Sequence, residues 1–343
     1  MSTLTTATAL DPAEVKARVR RFADTQEAIR REVHKVIVGQ EEVLEHVLIS
    51  LFVGGHCLLT GLPGTAKTLL VRTMAQTLGL KFNRIQFTPD LMPSDITGTD
   101  IIEEDQATGK RAWTFVPGPI FSNVLLADEV NRTPPKTQSA LLEAMQELSC
   151  TVRGTQYRLA PPFIVLATQN PIELEGTYPL PEAQLDRFLF NTVLEYLTPE
   201  DEMKVLDLTT TTLLPQAETV TNGDEILEFQ QLVRMTPVAE SVARYAVDLV
   251  RATRPVANGT APEFIKKYVS FGASVRAAQF LMLGGKTRAL MHGRFHVSYE
   301  DVRALAAPIL RHRVLLNFHA ESERLSSDDL LQQLLDWKKP PRE

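Results

Sequence analysis

Short apolar runs alternate with stretches of helical period through the N-terminal half of the chain, and helical period alone continues beyond it. The runs His56–Thr60, Phe82–Phe87, Val124–Ala127, Phe163–Thr168 and Phe188–Val193 have the length of strands. Strands alternating with helices predict a mainly parallel sheet covered on both faces. Ahead of them, Asp11-Pro12 reads as an N-cap followed by Pro at the first helical position, opening a helix over Glu14–Val36. Its apolar positions Val15, Val19, Phe22, Ile29 and Val33 form one narrow stripe, and Arg18, Arg20, Arg21, Arg30 and Arg31 form its solvated face. A second helix runs through Leu51. Pro89–Phe121 is too long for a plain connection, and loops of that length usually carry function. Its acidic stretch Glu103-Glu104-Asp105 and the following Gly109-Lys110-Arg111 suggest two strands joined by a charged turn. Arg153-Gly154-Thr155 reads as the turn of another hairpin.

Composition shifts after Leu197, and 198–223 reads as a linker. Beyond it the pattern predicts only helices, at Asp224–Val233, Val238–Thr253, Ser274–Leu283 and Ser298–Leu310, the last opened by a capping-box-like Ser298-x-x-Asp301. The expected organisation is an N-terminal helical segment (1–37), an α/β domain (38–197), the linker and a helical domain (224–343).

The 343 residues suffice for two domains, and 44% hydrophobic with 23% charged residues is ordinary globular composition. No apolar run approaches the roughly 18 residues of a membrane span. Met1–Leu10 lacks the charged head and apolar core of a secretory signal. Cys57 and Cys150 are too few for a disulfide scaffold, so a reducing, cytoplasmic location is expected. A net charge of −6 weighs against a nucleic-acid-binding domain.

The candidate chemistry starts at Gly61-Leu62-Pro63-Gly64-Thr65-Ala66-Lys67-Thr68, between the first strand and a helix beginning at Leu69. Strand, glycine-containing turn, then Lys-Thr entering a helix is the context of a phosphate-binding loop. Glycines let several N–H groups face one anion, and the helix N-terminus adds partial positive charge. Lys67 then reaches the β- and γ-phosphates and the Thr68 hydroxyl coordinates Mg²⁺. The usual pattern has Gly where Ala66 stands; Ala fits there if that residue keeps φ negative, which a loop entering a helix allows. Val124–Ala127 ends in Asp128 and Glu129, placing two carboxylates at the edge of the sheet where ligands bind. Asp128 suits the Mg²⁺ shell and Glu129 the activation of a water. Asn170, closing the fourth run, could contact a γ-phosphate or orient that water; by itself, Asn170-Pro171 is a turn signal.

These motifs resemble those of AAA+ ATPases, and specifically the MoxR family. The resemblance rests on Gly61–Thr68, on Leu126-Ala127-Asp128-Glu129-Val130-Asn131-Arg132, on Ala167–Pro171, on Leu180–Phe188 and on Phe271–Ala277, and runs from Val38 to Val314. It implies an AAA+ core with a helix-2 insertion (Pro89–Phe121), a hairpin (Val152–Leu159) and a C-terminal helical lid. ATP or ADP with Mg²⁺ is the implied cofactor, contacted by Val38, Gly39, Gly61, Pro63, Gly64, Thr65, Ala66, Lys67, Thr68, Leu69 and Asp128. Asn170 resembles sensor 1, Arg187 the arginine finger that acts on a neighbouring subunit, and Arg276 sensor 2, in cis or in trans. For Arg187 an ion pair with Asp186 is the plain alternative, for Arg276 a local carboxylate, and Arg132 is a rival finger. His292, His296, His312 and His319 show no ligand spacing.

The function implied is an ATP-hydrolysing, chaperone-like remodeller forming a homo-oligomeric, hexameric ring. It acts on a protein client or with partners carrying von Willebrand factor A domains, each ATP lying between the α/β domain and the lid. An ATP-gated adaptor and a magnesium-chelatase-like motor subunit are the alternatives. A nucleic-acid motor is disfavoured, because the hairpin offers Arg153 and Arg158 without an aromatic platform.

Overall fold

Side-chain alternation within each short apolar run decides how the sheet is covered. The computed structural model describes residues 11–104, 111–171, 176–212, 215–256 and 259–341. Helices α1 (Pro12–His34) and α2 (Glu41–Val53) precede β1 (Cys57–Gly61), α3 (Lys67–Thr77) and β2 (Phe82–Gln86). The short α4 (Pro93–Thr97) leads into the hairpin β3 (Gly98–Glu104) and β4 (Arg111–Pro117). Strand β5 (Val124–Asp128), a 3-10 turn at Val130–Arg132 and α5 (Pro135–Glu147) follow. The hairpin β6 (Ser149–Val152) and β7 (Thr155–Arg158) comes before β8 (Ile164–Gln169), α6 (Glu182–Leu185) and β9 (Phe190–Leu194).

The five-stranded sheet has the order β2-β5-β8-β1-β9, with parallel pairing throughout. Successive residues face opposite sides. Cys57, Leu59, Val124, Leu126, Ile164 and Leu166 join a core with α1, α2, α3 and the C-terminal helices. Leu58, Leu125, Ala127, Val165 and Ala167 join a second core with Leu141, Leu142 and Met145 of α5. A strand buried on both sides needs apolar residues at both parities.

Helix α1 starts as its sequence predicts: the Asp11 carboxylate accepts from the Ala13 N–H at 3.1 Å, and Pro12 takes the first position. Its apolar stripe is buried. The Phe22 ring packs 4.7 Å from Phe52 of α2 and 4.9 Å from Phe229, so this segment joins the main core.

After β9 the chain forms α7 (Pro199–Thr209), α8 (Gly223–Met235), α9 (Glu240–Ala252), α10 (Glu263–Tyr268), β10 (Val269–Phe271), α11 (Val275–Met291) and α12 (Tyr299–Ala304). Helix α13 (Ala306–Leu310), β11 (Leu315–Leu316), α14 (Phe318–Ser322) and α15 (Ser327–Trp337) complete it. Three expectations are corrected here. The first part of the segment read as a linker is the helix α7, capped by the Thr198 hydroxyl, which accepts from Asp201 N–H at 3.2 Å. The helical domain contains strands, β10 and β11, paired antiparallel. Ser298–Leu310 is broken at Leu305 into two helices. The capping box is present: Ser298 Oγ accepts from Asp301 N, and Asp301 Oδ2 from Ser298 N at 2.9 Å. Asp301 is buried, which opposes its charge, yet hydrogen bonds from Arg294, Ser298 and Arg288 bring its carboxyl down to about 2.

The two hairpins clamp together. Phe115 of β4 stacks on Tyr157 of β7 at 3.9 Å, and Phe121 meets Phe115 edge-on at 5.6 Å. Trp113 stays 60% exposed with the Arg153 guanidinium 4.2 Å above its ring. The second hairpin's own Tyr157 is packed against the first hairpin, and Trp113 of β4 is the exposed ring beside Arg153. The charged turn expected between β3 and β4 lies outside the described residues except at Glu104 and Arg111, which pair at 3.0 Å. Among the described residues no helix is long and apolar enough to cross a membrane.

Candidate functional site

The loop from β1 to α3 is shaped by backbone constraints. A Cβ at Gly61 would come within 2.8 Å of Leu194 Cβ and 2.9 Å of its carbonyl oxygen, so only glycine lets the loop leave the sheet alongside β9. Gly64 takes φ +82°, the left-handed region glycine enters without penalty. Ala66 also lies there, at φ +58°, which corrects the expectation that this position keeps φ negative. A left-handed L-residue costs roughly 1–2 kcal/mol. Ala66 offers no side-chain cap to α3, so the first-turn amides stay available to an anion. Lys67, at the first turn, donates through Nζ to the carbonyls of Gly61 and Leu62, both at 2.8 Å, and Thr65 Oγ donates to Leu62 O at 2.9 Å. Burial pulls the Lys67 ammonium below its ordinary value, against the opposing pull of Asp128 and Glu129. Pro63 is exposed on the loop, and Thr68 is half-buried one residue into α3.

The acid pair sits at the carboxyl end of β5. Asp128 Oδ1 accepts from Thr168 Oγ1 of β8 at 2.6 Å, and its Oδ2 accepts from Arg84 of β2, from Nη2 at 2.7 Å and Nε at 3.1 Å. Thr168 Oγ1 also accepts from Glu129 N at 2.8 Å, tying both acids to the neighbouring strand. Glu129 takes the left-handed conformation, φ 58°. Its Oε2 accepts from Gln86 Nε2 at 2.9 Å and pairs with Arg132 Nε at 3.2 Å. Arg132 thus lies against its own chain's Glu129. Asn170 is buried directly after β8, whose Gln169 is level with Thr60 at the end of β1. Loop, acid pair and Asn170 therefore meet at one edge of the sheet, where β1, β5 and β8 end. Hard oxygen donors on Thr68 and Asp128 suit a Mg²⁺ that keeps waters and phosphate oxygens for the rest of its shell.

Beside the loop opens a cavity of about 390 Å³. Ala66 and Leu69 line one wall, Val38 a second, and Tyr196, Leu197 and Leu206 a third. Gly39 lies behind it: its Cα approaches Leu197 and Asp201 so closely that a Cβ would meet them at 3.1 and 3.2 Å. Helix α7 supplies the facing wall, and among the described residues none from α8 onward lines this cavity. Thr198-Pro199 followed by Glu200-Asp201 was a legible helix start; Tyr196 and Leu206 became pocket residues only through the fold.

Arg187 and Arg276 stand elsewhere. Arg187 precedes Phe190, which is level with Cys57 at the start of β1. It therefore lies at the edge where strands begin, a strand length of roughly 15 Å from the loop. Its Nη1 donates to Leu142 O of α5 at 2.6 Å, not to Asp186. Asp186 instead holds Arg276 through Oδ2 at 3.1 Å and the buried Arg313 through Oδ1 at 2.7 Å. Arg276 is thus paired across the fold and shares that far edge. Arg313 was invisible to motif reading. It also donates to the carbonyls of Asp186 at 2.8 Å, Phe188 at 2.5 Å and Ile309, and lies 5.1 Å above the Phe280 ring. Among the described residues no cluster of three His, Cys, Asp or Glu side chains is placed to hold a metal. His312 Nε2 contacts Phe188 O at 3.3 Å, and His292 Nδ1 contacts Arg288 O at 2.8 Å.

Comparison with known proteins agrees with this architecture. Residues 56–190 match the ATPase family associated with various cellular activities (AAA), and residues 263–334 match the AAA lid domain. Chaperone MoxR1 of Mycobacterium tuberculosis is 42% identical over 305 residues, covering 89% of this chain and 79% of that protein. The uncharacterised protein YeaC of Bacillus subtilis is 40% identical over 310 residues, covering 90% and 92%. A crystal structure of an inferred ATPase from Cytophaga hutchinsonii superposes with a TM-score of 0.87 at 42% identity, over 94% of this chain and 97% of that one. Sharing both the nucleotide-edge architecture and this degree of identity along nine-tenths of its length, the chain belongs to the MoxR family of AAA ATPases.

Proposed function

We propose that the chain hydrolyses ATP to ADP and phosphate with Mg²⁺, as a ring-forming remodeller of a protein client. The observation that carries this reading is the split of the candidate residues between two opposite edges of one sheet. At the edge where strands end, Lys67 leaves the carbonyls of Gly61 and Leu62 to meet the phosphates. The cavity walled by Val38, Leu69, Tyr196 and Leu206 takes the base. A Mg²⁺ held by Thr68 and Asp128 would offset phosphate charge. Glu129, released by Gln86 and Arg132, takes a proton as the water oxygen bonds to the γ-phosphorus and the bond to the β-phosphate oxygen breaks. Asn170 orients that water.

Arg187 and Arg276 stand at the opposite edge, where they cannot serve their own chain's nucleotide. We assign both to the site of an adjacent copy, which makes the assembly head-to-tail and, when closed, a ring such as a hexamer. The partner class, proteins with von Willebrand factor A domains, follows from the MoxR resemblance. The clamped hairpins, with Trp113 exposed, form the surface offered to partner or client.

Mixing tests the assignment. Arg187→Ala and Glu129→Gln proteins each bind ATP and hydrolyse it at least about 10²-fold more slowly than the parent. Combined, they recover part of the rate, because some interfaces regain both groups. If no mixing ratio recovers any activity, action across the subunit boundary is wrong. Slow turnover that never responds to a client would favour a nucleotide-gated adaptor.

A further inference from the structure

The Asp128 carboxylate is already engaged. A carboxylate offers about four acceptor sites, and three are taken: Thr168 Oγ1 on Oδ1, and Arg84 Nη2 and Nε together on Oδ2. The placement follows from the sheet. Arg84 of β2 is level with Leu126 of β5, so Asp128, two residues on, points to the same side and lies diagonally within reach of a long side chain. Arg84 Nη2 also donates to Gln86 Oε1 at 2.5 Å, which fixes the plane of the guanidinium. The Asp128 side chain is 12% exposed and that of Arg84 46%, so the guanidinium covers the carboxylate from the solvent side.

We propose that Arg84 is a positioning residue that guards the metal site, holding Asp128 until a divalent cation replaces it. The inference rests on reading Asp128 as the holder of the Mg²⁺ shell. A guanidinium and a dication on one carboxylate oxygen repel each other, so Arg84 gives up Oδ2 when Asp128 takes up the cation and its waters. Being half-exposed, Arg84 swings into solvent at small cost. Without the cation it leaves no buried carboxylate oxygen of Asp128 unpaired. Guarding therefore raises the Mg²⁺ concentration at which nucleotide binding becomes metal-assisted.

The test uses the full-length chain and a fluorescent ADP analogue, with binding measured while Mg²⁺ is raised from none to saturation. Arg84→Gln lowers the half-saturating Mg²⁺ concentration about tenfold, the scale of one half-exposed charged hydrogen-bond pair. Arg84→Lys, which keeps the charge but loses the two-pronged fork, falls between. The Gln variant also melts below the parent without nucleotide, and the gap narrows with Mg²⁺ and ADP present. A half-saturating concentration that is unchanged or raised in Arg84→Gln overturns the proposal. Asp128→Asn separates the two layers. If it leaves the Mg²⁺ dependence intact, the metal assignment itself fails. If it abolishes that dependence while Arg84→Gln changes nothing, only the guarding role fails.

Discussion

Replacing Arg313 by Met tests whether the lid and the sheet are joined by one buried guanidinium. Its side chain is 2% exposed, and every bond it makes reaches backbone or Asp186. Burial pulls its pKa down to about 10 against the opposing hydrogen bond and charge of Asp186, so it is charged at neutral pH. Met fills much of the same volume but supplies no donor. Asp186 keeps Arg276 and the Ser274 hydroxyl, at 3.2 Å, so its charge is not stranded. The carbonyls of Phe188 and Ile309 lose the guanidinium donors at buried positions. Leaving those two buried acceptors without a donor costs about 1–3 kcal/mol each, a large share of a folding free energy of about 5–15 kcal/mol. At roughly 2–4 °C per kcal/mol the melting temperature falls by about 10 °C. Urea denaturation followed by circular dichroism reads the loss directly. Asp186→Ala with Arg313→Met is expected to be non-additive by about 1–3 kcal/mol, since the two share one contact. A loss below about 1 kcal/mol for Arg313→Met would show that this junction is carried by apolar packing alone.

The strained loop makes a smaller prediction: Ala66→Gly relieves a left-handed residue, and after the added unfolded-state entropy stability is equal to the parent or higher by up to about 1 kcal/mol. Ala66→Val, branched at Cβ, loses more than about 1 kcal/mol, and thermal melts that reversed this order would contradict the φ assigned to Ala66. A third prediction concerns acid. Burial pushes His46 down to about 3, His56 to about 4 and His312 well below its usual range. The unfolded chain therefore binds protons first, and stability falls as pH drops from the unfolded value near 6.5 toward 4. Near pH 5.5 unfolding takes up about 0.9 proton per buried histidine, so a pH series of melts that gave a total uptake below one would refute their neutrality.

What could be read from sequence was local. A strand, a glycine turn and a Lys-Thr helix start are contiguous in Gly61–Thr68, and an apolar strand closing on two acids is contiguous in Val124–Glu129. The parallel sheet was legible because short apolar runs alternate with stretches of helical period, and a helix between two strands lets them run parallel. Asp11-Pro12 and Ser298-x-x-Asp301 announced their helices through chemistry contained within a single turn. Short elements without periodicity were not legible: β11 has two residues, β10 three, and their pairing joins segments far apart in the chain. Helix α7 carried an N-cap signal at Thr198-Pro199, but the Thr-rich stretch after it masked the element that walls the cavity. Which partner each charge finds was decided by tertiary structure alone. Arg84 meets Asp128 across 44 residues, and Arg313 meets Asp186 across 127. The positive φ of Ala66 is likewise imposed by the path from β1 into α3. The opposite edges occupied by Lys67 and by Arg187 follow from strand direction and register, which exist only once the strands have paired. A motif reports chemistry held by neighbouring residues, whereas burial, pairing and edge depend on residues brought together by folding.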